Sequence, residues 1–87
     1  MRLDKYLKVS RLIKRRTIAK EVCDAGRVLV NERPAKAATE VEPGDRIRIS
    51  FGSRQLNVEV VAVADNVRAN QAQELYRILD PALDGDV

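Results

Sequence analysis

Histidine is missing from this chain altogether. That removes both the commonest general base near neutral pH and the commonest metal ligand. Cysteine is nearly missing: Cys23 stands alone, so no internal disulfide can form, which fits a reducing compartment. With no partner base in the sequence, Cys23 reads as a small apolar core side chain on a helix rather than a nucleophile. Aromatic residues are reduced to Tyr6, Phe51 and Tyr76. The core therefore has to be aliphatic, and no platform for stacking unpaired bases is on offer. No apolar run approaches the ~20 residues needed to cross a bilayer. Nor is the basic start followed by the uninterrupted apolar stretch of a signal peptide. A cytoplasmic protein with no membrane association is expected.

Catalytic motifs are absent as well. There is no GxxxxGK[ST] or GxGxxG phosphate loop, no HExxH and no CxxC. Asp24, Glu40, Glu42 and Asp45 are carboxylates beside turns, with nothing else of an acid–base site around them. The expectation is a protein that is not an enzyme and needs no cofactor or metal.

What the chain does have is charge, unevenly spread. Residues 1–36 hold 11 Lys/Arg against 4 Asp/Glu, a net +7, while residues 37–87 hold 5 against 9, a net −4, which together give the chain's +3. A basic N-terminal part beside an acidic remainder points to a polyanionic partner.

Periodicity supplies the elements. Leu3, Tyr6 and Leu7 fall at i, i+3, i+4 and predict a short amphipathic helix over residues 2–9. Ser10–Arg16 is a connector turning Leu12 and Ile13 inward. Thr17 is expected to cap a second helix with Glu21 favouring its start, Ile18, Val22 and Ala25 as its buried stripe, and Gly26 as its left-handed stop. Val28 and Val30 alternate in a strand that enters a turn at Asn31–Pro34, and the EPGD segment at 42–45 is a second turn. Ile47, Ile49 and Phe51 share one face of a further strand. Gly52-Ser53 then makes a hairpin into a strand with Leu56, Val58, Val60 and Ala62 on one face. NQAQELYRIL reads as a last helix, capped by Asn70 with Gln73 returning the bond, and with Ala72, Leu75, Tyr76 and Leu79 inward. The expected fold class is α+β: two N-terminal helices packed on a small antiparallel sheet, with an additional C-terminal helix. No repeat or linker divides the chain. One domain is expected over residues 1–80, with residues 81–87 a disordered tail.

The basic cluster is the functional candidate. Arg2, Lys5 and Lys8 repeat every three residues and stay on one side of the first helix, Arg11, Lys14, Arg15 and Arg16 follow in the connector, and Lys20 adds a turn of the second helix. Only Asp4 and Glu21 lie near enough in sequence to offset this repulsion. A membrane surface would require large apolar side chains that the core already needs. Basic helices without stacking groups suit structured RNA, read through phosphates and shape, with duplex DNA the competitor that charge alone does not exclude.

RLDKYL, then RRTIAKEVCDAGRVLVN, PAK and EPGD resemble the S-four-type RNA-binding domain family, also called the αL motif. Its pattern R-[ST]-x-A-x-x-x-[IV]-x-x-G-x-V-x-V-N is met by Arg16, Thr17, Ala19, Val22 or Cys23, Gly26, Val28, Val30 and Asn31. The likeness covers about residues 1–51, and Glu32 stands where the family usually has Gly. The opening MRLDKYLKVSRLIKRRTIAKEV is similar to stand-alone members that act in ribosome-associated quality control. The resemblance implies binding to large-subunit rRNA of a stalled large ribosomal subunit, and stabilising of its P-site tRNA. It also implies work beside an alanine-tailing factor of the fibronectin-binding-like family. The alternatives are a heat-shock-type recycling factor for obstructed large subunits, or a general structured-RNA chaperone. The RNA-binding residues expected are Arg2, Lys5, Lys8, Arg11, Lys14, Arg15, Arg16, Lys20 and, from the turn, Lys36. Arg16 either reaches RNA or pairs with Glu21 or Asp24, whereas Asp4 orients its basic neighbours. The free protein is expected to be a monomer.

Overall fold

The structure, a computed structural model, describes residues 1–79. Leu3–Val9 form helix α1 and Arg16–Asp24 helix α2; strands follow at Val28–Val30 (β1), Arg33–Pro34 (β2), Arg46–Phe51 (β3), Arg54–Val60 (β4) and Tyr76–Leu79 (β5). All neighbours pair antiparallel in the order β2-β1-β3-β4-β5. The helices cover one face of this sheet, which is the α+β architecture expected. The tail expected at 81–87 lies outside the described residues.

The core sits where the periodicity puts it. Leu3, Tyr6 and Leu7 of α1 are fully buried against Val28, Ile47, Ile49, Val58 and Val60 of the sheet. Val28 faces Ile49, and Ile47 faces Val58, so the register stacks β-branched side chains in rows across the strands. Ile13 is buried and Leu12 half-buried, which anchors the connector from beneath as its sequence implies. No helix among the described residues is long and apolar enough to cross a membrane.

Special backbone positions fall where the turns need them. Gly26, at φ +80°, closes α2: its N–H bonds to the Cys23 carbonyl at 3.0 Å and that of Arg27 to Val22 at 3.2 Å, a Schellman pair. Asn31 and Glu32 take φ of +52° and +69° between paired Val30 and Arg33, a two-residue hairpin turn of the I′ type. Asn31 also bridges to β3. Its amide donates to Asp45 and its side-chain oxygen accepts from the Arg46 N–H, each at 3.0 Å. Glu32 fills the position usually held by Gly at a conformational cost, and its carboxylate pairs with Arg48 at 3.1 Å.

Several expectations fail in detail. The cap of α2 is Arg15 in extended conformation, with no side-chain bond, rather than Thr17; no acid occupies the first turn, since Glu21 lies mid-helix. The buried stripe is Ala19 and Cys23 with Val22 beside it, while Ile18 is 43% exposed and Ala25 is exposed too. The helix is thus turned by about one residue from the predicted face. Phe51 keeps the parity of Ile47 and Ile49, yet lies at the hairpin end beyond the helices' cover and is exposed.

The last helix is present only in part. Ala69–Leu75 is a 3-10 helix, with Gln71 rather than Gln73 returning a bond to the Arg68 N–H, at 3.4 Å. Ala72 and Leu75 are buried as expected. Tyr76–Leu79 leaves the helix and pairs with Asn57–Val60 as β5. The open edge of β4 offers unpaired N–H and C=O groups, and the β-forming Tyr76 and Ile78 satisfy them. Arg77 faces Glu59 across the pair, with an ion pair at 2.6 Å.

Candidate nucleic-acid interface

A single buried acid organises the basic residues. Asp4 has its side chain only 4% exposed, in the first turn of α1. It accepts from Arg2 Nε at 3.1 Å and Nη2 at 3.3 Å, from Arg16 Nη2 at 3.4 Å, and from the Lys5 N–H at 2.8 Å. Burial by itself would raise this carboxyl. The hydrogen bonds from Arg2 and Arg16, the Arg16 charge and the Lys5 N–H outweigh it and hold the group below its ordinary value. The two guanidiniums remain about half exposed, so the donors that Asp4 does not use stay open to water. Asp4 therefore does orient its neighbours, as the sequence suggests. Arg16 pairs with it, and not with Glu21 or Asp24.

Around this clamp the chain gathers further cations. Lys5, Lys8, Arg11 and Arg16 line one cleft of about 310 Å³ between α1, the connector and the segment after β4. Arg11 sits at φ +66°, with its N–H bonded to the Lys8 carbonyl at 3.0 Å, a tight turn that brings the connector back toward α1. Lys14 and Arg15 are exposed just ahead of the first turn of α2, whose partial positive charge adds to theirs. Lys20 follows Arg16 one turn along the same helix. Among the described residues Lys8, Arg11, Lys14, Arg15, Lys20 and Lys36 have no salt-bridge partner. Lys36 stands apart from the cleft. It lies in the turn where the Ala37 N–H bonds Asp24, at the far end of α2 from Arg16.

Sequence reasoning missed the cleft's other wall. Asp65, Asn66 and Val67 close it from the segment between β4 and the 3-10 helix, and Asp65 bonds Lys5 Nζ at 2.9 Å. No local pattern marks these residues, because only the return of the chain toward β5 places them beside α1. A second, smaller hollow on the far face of the sheet holds Arg48, but Glu32 and Asn57 already satisfy it. Cys23 is buried, and burial, with Asp4 and Asp24 adding to it, pushes its thiol up to about 11. It takes no part in the site. Among the described residues no group of His, Cys, Asp and Glu is placed to hold a metal ion.

Comparison with known proteins identifies the family. The model of the S4 domain matches residues 1–47, the span that contains the clamp, the cations of the cleft and connector, Lys20 and Lys36. The RQC P-site tRNA stabilizing factor of Halalkalibacterium halodurans is 55% identical over 78 residues, covering 90% of this chain and 89% of the relative. That of Bacillus subtilis is 51% identical over 79 residues, covering 91% and 92%. The trimeric structure of Vibrio cholerae Heat Shock Protein 15 superposes with a TM-score of 0.86 at 31% identity, over 98% of this chain and 87% of that one. A family model over more than half of the chain, together with relatives at half identity over nine-tenths of it, places the sequence: the chain belongs to the S4-domain family, alongside the RQC P-site tRNA stabilizing factors.

Proposed function

We propose that this protein is a non-catalytic RNA-binding factor of ribosome-associated quality control. It binds large-subunit rRNA of stalled large ribosomal subunits and steadies the P-site tRNA while alanine is added to the stalled chain by a tailing factor. Its work is positional: two RNA segments are held against one rigid basic surface in the cytoplasm by a factor that is monomeric when free. The observation that carries the reading is the Arg2–Asp4–Arg16 clamp. A buried carboxylate fixes two guanidiniums whose unused donors match the bidentate geometry of phosphate. The unpaired cations from Lys8 to Lys20 extend that surface, and Lys36 offers a separate contact. The names of the relatives support the ribosomal address.

A second reading, a heat-shock-type factor recycling obstructed large subunits, is favoured by the likeness to Heat Shock Protein 15. Against it stands the higher identity to the RQC P-site tRNA stabilizing factors, 55% and 51% against 31%.

Sedimentation with purified large subunits tests the reading. The wild-type chain is expected in the subunit fraction, and Arg16→Ala to lose at least about tenfold in affinity, the scale of one bidentate phosphate contact. Circular dichroism checks that the variant is folded. Wild-type protein that stays out of the subunit fraction, or binds duplex DNA equally well at matched salt, overturns it.

A further inference from the structure

Four cations line the cleft beside α1, and one carboxylate enters it. Asp65 belongs to an extended segment, residues 61–68, with no regular structure of its own. The segment is held at one end by the N–H groups of Val61 and Ala62 on the Leu75 carbonyl, and by half-buried Ala62, Ala64 and Val67 along its length. Its single ion pair among the described residues is Asp65 to Lys5, at 2.9 Å. The Lys5 side chain is about one-third exposed whereas that of Asp65 is 81% exposed, so the acid lies at the mouth and the cation deeper. Nothing in the fold needs this acid. The segment is already seated by its apolar residues, and a fully solvated carboxylate contributes little to stability.

We infer that Asp65 is an internal stand-in for a backbone phosphate: it occupies Lys5 in the free protein and must be displaced when an RNA phosphate enters the cleft between Lys5, Lys8, Arg11 and Arg16. This rests on the RNA-binding reading above and adds a discrete phosphate seat with its own competitor. Both an aspartate carboxylate and a phosphate oxygen accept charge-assisted bonds from an ammonium, and one seat cannot hold both. The Lys5–Asp65 bond and charge hold the carboxyl below its ordinary value, so the acid is ionised and competes throughout the neutral range. A single phosphate arriving alone gains little by exchanging one anion for another. An RNA surface that also engages Arg2, Arg16 and the connector offsets the exchange elsewhere. Asp65 thus lowers affinity by one common factor for any RNA that fills the Lys5 seat, and a surface that also engages the clamp and connector still binds after that cost.

Salt dependence reads this directly. RNA phosphates carry condensed cations that are released as Lys or Arg neutralises them. In the wild type the displaced Asp65 carboxylate stays beside the phosphate on Lys5, so the pair adds no net neutralising charge and that cation is retained. With Asp65→Asn the opposing carboxylate is gone, and Lys5 releases one more cation from the RNA. Binding to purified large subunits, measured from low to moderate KCl at fixed Mg²⁺, is expected to tighten roughly threefold at the lowest salt. The slope of log affinity against log salt should steepen by about 0.7–0.9, the value of one more released ion, so that the two proteins converge as salt rises. Placing both changes on one chain, Lys5→Gln with Asp65→Asn, separates the pair from a mere gain in net charge. The gain from Asp65→Asn should vanish in the Lys5→Gln background. Asp65→Asn binding no tighter than wild type, or an equal gain in both backgrounds, overturns the inference while leaving the RNA-binding reading standing. Wild-type protein that fails to bind large subunits overturns both.

Discussion

Replacing Asp4 by Asn tests the centre of the basic surface without changing its shape. The Asn oxygen can still accept from the Lys5 N–H, which is the shortest of the four bonds at 2.8 Å. What is lost is the charge facing Arg2 and Arg16, and one carboxylate oxygen becomes an NH₂ group pointing at a guanidinium. Both arginine side chains are nearly half exposed and regain water, so each lost pair costs only about 0.5–1 kcal/mol. The buried amide donor left without an acceptor adds about 1 kcal/mol. The total of about 2–3 kcal/mol corresponds to a Tm lower by roughly 8–24 °C in a domain of this size. Acid supplies the second half of the test. The folded-state carboxyl lies below its unfolded value, so its contribution is complete above about pH 4 and is lost as pH falls through the lower, folded value. Thermal unfolding followed by circular dichroism should show the gap between wild type and Asp4→Asn widest near pH 7 and closing below about pH 4. A variant as stable as wild type at pH 7, or a gap that stays constant into acid, would refute the reasoning.

Two other substitutions probe the frame that carries the site. Glu32→Gly removes a side chain from a residue at φ +69°, and should raise stability by about 0.5–1 kcal/mol in urea unfolding, less the small share of the exposed Arg48 pair. Tyr6→Phe deletes a buried hydroxyl that donates to the Leu75 carbonyl at 2.6 Å, and should cost about 1 kcal/mol by the same measurement. The loss stays modest because Val61 and Ala62 still donate to that carbonyl.

Much of the first half of the chain is legible without coordinates. Leu3, Tyr6 and Leu7 recur at helical spacing, Gly26 has the one backbone conformation that ends α2 cleanly, and Val28–Val30 and Arg46–Ser50 alternate as half-buried strands do. The basic residues are legible as well, since like charges so concentrated imply a partner of opposite sign. Rotation of α2 was not legible: Ala19 and Cys23 are small, and their burial is decided by how closely the helix approaches α1 rather than by hydrophobicity. Ile18 outranks both on any hydropathy scale and is left outside. Tyr76–Leu79 is not legible as a strand because Tyr76, Ile78 and Leu79 around Arg77 are too short a run to carry a period of their own, and the open edge of β4 settles the matter. Asp65 was invisible for a related reason. Its role depends on a contact with Lys5 across 60 positions of sequence.

The hydroxyl of Tyr6 and the carbonyl of Leu75 join the first helix to the end of the 3-10 helix, one residue before β5. A ribosome makes these two groups in the opposite order from the one in which they can stabilise each other. While the nascent chain ends short of β5, α1 has its apolar face but no acceptor beneath Tyr6, and β4 has an unsatisfied edge. Closing such a long loop comes late and all at once. The basic surface therefore becomes rigid only once β5 has been made, so a copy cut short of that strand presents its charges on a loose scaffold and holds RNA weakly.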